Sequence, residues 1–178
     1  MGDTLGFRPG RGAHDAIAAI QVAIERHPCF VLHTDIAEAF DSVDQAALLE
    51  QLQTFPMLRQ IISAWLTVGV IDGDAYAPSA QGIPQGGVLS PLLLNVALHG
   101  MEAVVTHGAA REPGARSIGP LLVRYADDFV ILHEDLSELQ QAIRRVTRWL
   151  ASRGFQLHPD KTRLSHTMTP RGRRVLIS

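Results

Sequence analysis

Apolar residues recur along this chain with two periods, and the switches between them outline its elements. From Ala13 to Arg26 the apolar positions Ala13, Ala16, Ile17, Ile20, Ala23 and Ile24 fall on one helix face, and Pro28 ends that helix. Cys29 to His33 is a short apolar run bounded by a turn, which predicts a buried strand with Asp35 just past its end. Ser42 and Asp44 are candidate N-caps for a helix through Gln53. Pro56 opens another helix, with Leu58, Ile61, Ile62, Trp65 and Leu66 on one face. The Gly-, Asp- and Pro-rich stretch 69–81 predicts a hairpin or loop. Ser90, as cap, and Pro91, at the first helical position, start a long apolar helix to about His107. Residues 108–120 read as an exposed loop. Leu121–Tyr125 and Phe129–His133 are strands flanking Ala126-Asp127-Asp128. Ser137–Arg153 is an amphipathic helix stopped by Gly154, and Phe155–Leu157 is a last short strand.

This order, strand, helices, strand-turn-strand, helix, strand, is a β-α-β-β-α-β plan of the α+β class, a ferredoxin-like antiparallel sheet with two helices on one face. In such a sheet the first and third strands are central neighbours. Asp35, at the end of one, therefore meets the hairpin tip that carries Asp127 and Asp128. Packed carboxylates raise each other's pKa, and a divalent cation relieves the repulsion. Hard oxygen donors suit magnesium, which binds through one or two carboxylates plus substrate phosphates. Adjacent aspartates in an apolar hairpin also cost stability. Metal binding and a plain turn both remain open on this reasoning alone.

Composition changes the picture little. The chain has 178 residues, one cysteine (Cys29, read as a small core residue) and a formal net charge of −2. That cysteine count excludes an internal disulfide and a cysteine zinc site. No apolar run approaches the roughly 20 residues of a membrane span, and Met1-Gly2-Asp3-Thr4 does not open a signal peptide, so a cytoplasmic location is expected. The charge is unevenly spread. Residues 1–143 hold 7 Lys and Arg against 17 Asp and Glu, while residues 144–178 hold 9 against 1. Such asymmetry fits either a phosphate-facing surface or a solvated helix face with a charged tail. The eight histidines, His33 and His99 among them, show no metal-ligand spacing.

Four ordered motifs resemble those of reverse transcriptases: Asp35-Ile36-Ala37-Glu38-Ala39-Phe40-Asp41-Ser42-Val43; Gln81-Gly82-Ile83-Pro84-Gln85-Gly86-Gly87-Val88-Leu89-Ser90-Pro91; Tyr125-Ala126-Asp127-Asp128; and Gly154-Phe155-Gln156-Leu157 leading to Asp160-Lys161-Thr162. Three further stretches, Gly6–Arg11, Asn95–Glu102 and Lys161–His166, resemble the group II intron (maturase) branch, and retrotransposon and retroviral enzymes resemble them poorly. The resemblance implies a polymerase palm with part of the fingers over residues 1–167, and a divergent tail at 168–178. It implies RNA-directed DNA synthesis with two magnesium ions (manganese as a substitute), on an RNA template and a DNA primer with dNTP, and intron RNA as a partner of the full-length protein.

Residue by residue, the resemblance makes Asp35 and Asp127 metal ligands, with the Ile36 carbonyl completing the shell and Asp128 beside the primer terminus. Phe40 matches the aromatic gate that selects deoxynucleotides, and Ala37, Gln85 and Gly86 match the nucleotide-binding positions. Lys161 matches a group that binds the triphosphate or protonates its pyrophosphate leaving group, and Arg8 and Arg11 match contacts to template or phosphate. The family also has basic fingers residues upstream, and an aromatic-rich motif and thumb downstream. This sequence is expected to lack both, which favours a truncated product. A catalytically inactive remnant or RNA-binding piece is the alternative reading. An RNA-templated RNA polymerase shares the aspartate pattern, but Phe40 argues against it.

Overall fold

A computed structural model of the chain describes residues 3–67, 70–72, 75–77, 81–106 and 119–168. Six helices and nine strands lie among these residues: β1 (Asp3–Thr4), α1 (Ala13–Arg26), β2 (Phe30–Thr34), β3 (Ile36–Ala37), α2 (Gln45–Gln51), α3 (Pro56–Thr67), β4 (Val70–Asp72), β5 (Ala75–Ala77), α4 (Ser90–Ala97), α5 (Met101–Thr106), β6 (Leu121–Tyr125), β7 (Asp128–His133), α6 (Leu136–Ala151), β8 (Gln156–Leu157) and β9 (Arg163–His166).

The main sheet runs β1-β6-β7-β2-β9. β1 joins β6 in parallel, and every other pairing in this sheet is antiparallel. The expected central pairing is present, with Thr34 opposite Phe129. One face of the sheet, through Leu32, Leu122, Phe129 and Ile131, packs on residues of α2 to α6, including Leu48, Ile62, Leu94, Met101, Val105, Val146 and Leu150. A smaller cluster on the opposite face joins Val31, Val123, Val130 and Leu132 to Ala16 of α1, with Ile20 and Ile24 packed against it. Both faces of the central strands are thus covered, which is why β7 reads as an unbroken apolar run.

Two expectations need correction. The helix expected from Ser90 to about His107 is two helices. Gly100, at φ 96°, leaves the right-handed region between them, and glycine reaches that conformation without steric cost. Leu89 is the N-cap of the first of these helices, and Ser90 instead donates its hydroxyl to the Pro84 carbonyl. The fourth strand of the main sheet is also not the one expected. Gln156–Leu157 pairs with Ile36–Ala37 in a separate small ladder, and Arg163–His166 takes the edge position beside β2. That edge strand is exposed at three of its four residues, so no apolar alternation marks it in the sequence.

The other ends follow their signals. Asp44, not Ser42, caps α2 by accepting the Ala46 and Ala47 amides. The 69–81 stretch contains the β4–β5 hairpin. Most of the 108–120 stretch lies outside the described residues, as does the expected tail beyond Met168. Gly154, at φ 82°, closes α6: the Phe155 amide donates to Leu150 O at 3.0 Å and the Gly154 amide to Ala151 O at 3.2 Å, the Schellman pattern. No helix among the described residues is long and apolar enough to cross a membrane.

Leu94 is fully buried where α4 meets the sheet. Leu94→Ala should cost about 2–5 kcal/mol in urea unfolding. Gly154→Ala should cost about 1–2 kcal/mol, because the new Cβ is held in a left-handed conformation.

Candidate active site

The site is built at one end of the β2–β7 pair. Tyr125 and Asp128 are the last paired residues of the β6–β7 hairpin, leaving Ala126 and Asp127 as a two-residue turn. Ala126 adopts φ 59°, a conformation in which glycine is usual, and the turn holds it there. One step past the Thr34↔Phe129 pair, β2 delivers Asp35 to the same end of the sheet.

Asp35 is buried, at 6% exposure. Its Oδ2 accepts a hydrogen bond and ion pair from the Lys161 ammonium, and its buried Oδ1 has no partner among the described residues. A buried, unpaired carboxylate oxygen is costly and seldom left without a use.

Lys161 is aimed at Asp35 by the backbone around it. β8 pairs with β3, and the His158 amide continues the ladder by donating to Asp35 O at 2.8 Å. The Thr162 hydroxyl then meets the Thr34 hydroxyl at 2.7 Å and donates to His158 O. The 158–162 segment is thereby fastened along the end of β2.

Burial pushes the Asp127 carboxyl above its ordinary range. Its own amide opposes that shift, the charges of Asp35 and Asp128 add to it, and Lys161 offsets part of it. The same cluster raises the Lys161 ammonium, chiefly through the hydrogen bond to Asp35 and then its charge. Asp35, Asp127, Asp128 and Lys161 therefore form one electrostatic group. Among the described residues no three His, Cys, Asp or Glu side chains converge closely enough to cage a metal on their own. A magnesium ion does not need such a cage, because substrate phosphates and water supply its remaining ligands.

The remaining sequence candidates fall around this group. The Ile36 side chain is in the core, so it offers only backbone, and Ala37 is half-buried beside it. Phe40 is half-buried against the main core, and its carbonyl accepts the Ile83 amide at 2.7 Å. That bond docks the 81–87 loop onto the 35–43 segment. Gln45 braces the loop through Gly82 O at 2.9 Å. Gly82 has no room for a Cβ, which would stand 2.9 Å from Asp41 O. Gln85 donates to both carboxylate oxygens of Asp41, and Gly86, at φ 81°, faces open space. Arg11 pairs with Asp15 at the start of α1 rather than joining the aspartates. Arg8 is exposed, and its charge reaches the buried Arg124.

Arg124 is what the sequence reading missed. It is 2% exposed, and burial pushes its guanidinium down to about 10, with Glu102 opposing that shift and Arg8 adding to it. The available signal was a charged residue inside the apolar strand Leu121–Tyr125.

The sequence model of the family described as reverse transcriptase (RNA-dependent DNA polymerase) matches residues 2–176. Protein YkfC of Escherichia coli is 28% identical over 92% of this chain and 51% of its own length. The group II intron-encoded protein LtrA of Lactococcus lactis is 37% identical over 56% of this chain and 17% of its own. A Pol polyprotein of the retrotransposable element R2 from Nasonia vitripennis is 30% identical over 74% of this chain and 14% of its own. The likeness thus extends to retrotransposon proteins, which the three intron-like stretches did not suggest. The chain spans about half or less of the length of these relatives. In solved structures, telomerase of Candida Tropicalis shares the fold over 86% of this chain and 29% of its own, with a TM-score of 0.65 at 14% identity. Telomerase of Candida albicans does so over 88% of this chain and 30% of its own, with a TM-score of 0.61 at 16% identity.

A carboxyl with a raised folded-state pKa favours the fold while protonated. It costs stability once ionised, as pH climbs from the ordinary carboxylate range through the raised value. Asp127→Asn should therefore raise the melting temperature of the metal-free chain at neutral pH. The gain should vanish at a pH well below the ordinary carboxylate range, where the Asp127 carboxyl is protonated too. Thermal unfolding at both pH values checks this.

Proposed function

This chain belongs to the reverse transcriptase family, the RNA-dependent DNA polymerases, and we propose that its carboxylate group is the catalytic centre for RNA-templated DNA synthesis. The observation that carries the reading is the buried Asp35 Oδ1, without a partner among the described residues, beside an Asp127 whose carboxyl is destabilised as an anion by burial and by its neighbours. Both features disfavour the metal-free state and suit a hard cation. Asp35 and Asp127, with the Ile36 carbonyl, would hold two magnesium ions. When bound, these lower the pKa of the attacking hydroxyl and stabilise the leaving pyrophosphate.

The chain's own residues do the rest. Asp128, exposed at the first position of β7, borders the place of the primer 3′-hydroxyl, which attacks the α-phosphate of the dNTP. Lys161 is held over the carboxylates and carries a positive charge to the side where the triphosphate gathers negative charge. Phe40, fixed by its backbone bond to Ile83, lies under the deoxyribose and excludes a 2′-hydroxyl. Gln85 and Gly86 border the base and template, and Gly86 leaves open space there. Arg8 and Arg11, both exposed near the start of α1, take template or phosphate contacts. RNA template and DNA primer are the proposed partners, with intron RNA for the full-length protein, and the cytoplasm is the proposed location.

Primer extension on an RNA template tests this. The full-length protein should extend with dNTP in magnesium and stop on chelation. Asp127→Asn should lower the rate by at least about a thousandfold, the scale on which loss of one catalytic group acts. Retained extension in that variant would contradict the assignment of the centre. Phe40→Ala should raise ribonucleotide incorporation, and unchanged sugar selection would reduce Phe40 to a packing residue.

A further inference from the structure

We infer that Arg124 is a positioning residue for Asp127: its guanidinium, on the helical face of β6, fixes the peptide plane that aims the Asp127 carboxylate. The inference deepens the polymerase reading and rests on it for its activity arm.

The guanidinium donates to Ala126 O at 2.8 Å and, through the same nitrogen, to Asn95 Oδ1 of α4 at 3.0 Å. Its second terminal nitrogen lies 3.4 Å from Thr4 Oγ1, and the Thr4 hydroxyl bonds in turn to the Glu102 carboxylate. A peptide unit is planar and stiff, so holding the Ala126 oxygen also sets the Asp127 nitrogen at its other end. Ala126 needs such a hold, since its φ of 59° is unfavourable for a residue with a Cβ.

The turn is gripped on its other side by the segment that follows β1. The Leu5 amide donates to Arg124 O at 2.8 Å, and Asn95 donates to Gly6 O at 2.7 Å. A Cβ on Gly6 would stand 2.1 Å from Ala126 N, so glycine alone lets this segment lie against the turn. Asn95 therefore joins the two grips, with its carbonyl oxygen on Arg124 and its amide on Gly6.

A bare strand residue would not justify this burial. A guanidinium removed from water costs several kcal/mol unless its donors are used. Here both terminal nitrogens are used, on the turn carbonyl and on the side chains of Asn95 in α4 and Thr4 in β1, while the buried Nε has no hydrogen-bond partner among the described residues, and the Glu102 carboxylate is reached only through Thr4. Ordinary ion pairing does not explain the arrangement, and a fixed turn does. The neighbours in register make the same point: Thr34, Phe129 and Arg124 lie side by side on β2, β7 and β6, forming a buried row directly beneath the aspartates.

The test uses Arg124→Met, which keeps the length and apolar stem but has no donor. Arg124→Lys keeps the charge and one donor point. In the metal-free chain the Asp127 amide should have an NMR order parameter near the roughly 0.85 of rigid backbone. In Arg124→Met it should fall below about 0.6, with Arg124→Lys between the two. In primer extension, Arg124→Met should raise the half-saturating magnesium concentration by about 10- to 100-fold, the usual effect of losing a group that orients a metal ligand. A purely structural role would lower the fraction of active enzyme in an active-site titration and leave the magnesium requirement unchanged. That result, or an Asp127 amide as rigid in Arg124→Met as in the parent, would overturn the inference. If Arg124→Met does not fold, Arg124→Lys carries both comparisons with the same criteria. If the full-length parent shows no extension at all, the polymerase reading fails, and the order parameters alone decide the role of Arg124.

Discussion

The site depends on one pairing, the antiparallel ladder between β2 and β7 that sets Thr34 opposite Phe129. Only in this register does the end of β2 bring Asp35 to the turn that carries Asp127. A slip of one residue would reverse the faces of every side chain in the strand. Two separate cores oppose such a slip. Leu32, Phe129 and Ile131 are locked among the helices on one face, and Val31, Val130 and Leu132 are locked against α1 on the other. Most of the apolar burial in the molecule thus fixes where three aspartates stand.

That placement opposes stability locally. Asp127 is destabilised as an anion, Asp35 keeps a buried oxygen with no partner among the described residues, and Ala126 is held at positive φ. Each lies within the same two chain segments, and none is explained by folding alone. Strain and unsatisfied polar groups of this kind collect where a ligand completes the structure. Lys161 supplies partial relief by pairing with Asp35. Its segment is tied down through the His158 amide and the Thr34–Thr162 contact, so the relief is built in rather than incidental.

Much of this was legible in the sequence, and particular residues show why. The apolar runs at 29–33, 121–125 and 129–133 gave the central strands, because strands buried on both faces leave an unbroken signal. Asp35, Asp127 and Asp128 could be placed together from strand order alone. Gly100 was overlooked as a helix stop because apolar residues continue in phase on both sides of it. The Arg163–His166 strand carried no pattern because it is an exposed edge. For Arg124 the sequence offered only a charge inside an apolar strand. Its importance lies in contacts to Ala126, Asn95 and Thr4, residues up to 120 positions away, and no local rule of periodicity encodes such a network.

The central claim is that Asp35 and Asp127 share a divalent cation. Paramagnetic broadening of backbone amide signals by substoichiometric manganese tests it directly, because broadening falls steeply with distance from the ion. The account predicts that signals at 35–36 and at 126–128 broaden together at the lowest manganese concentrations, before any other acidic surface responds. Broadening confined to one of the two segments, or appearing first elsewhere, would contradict it.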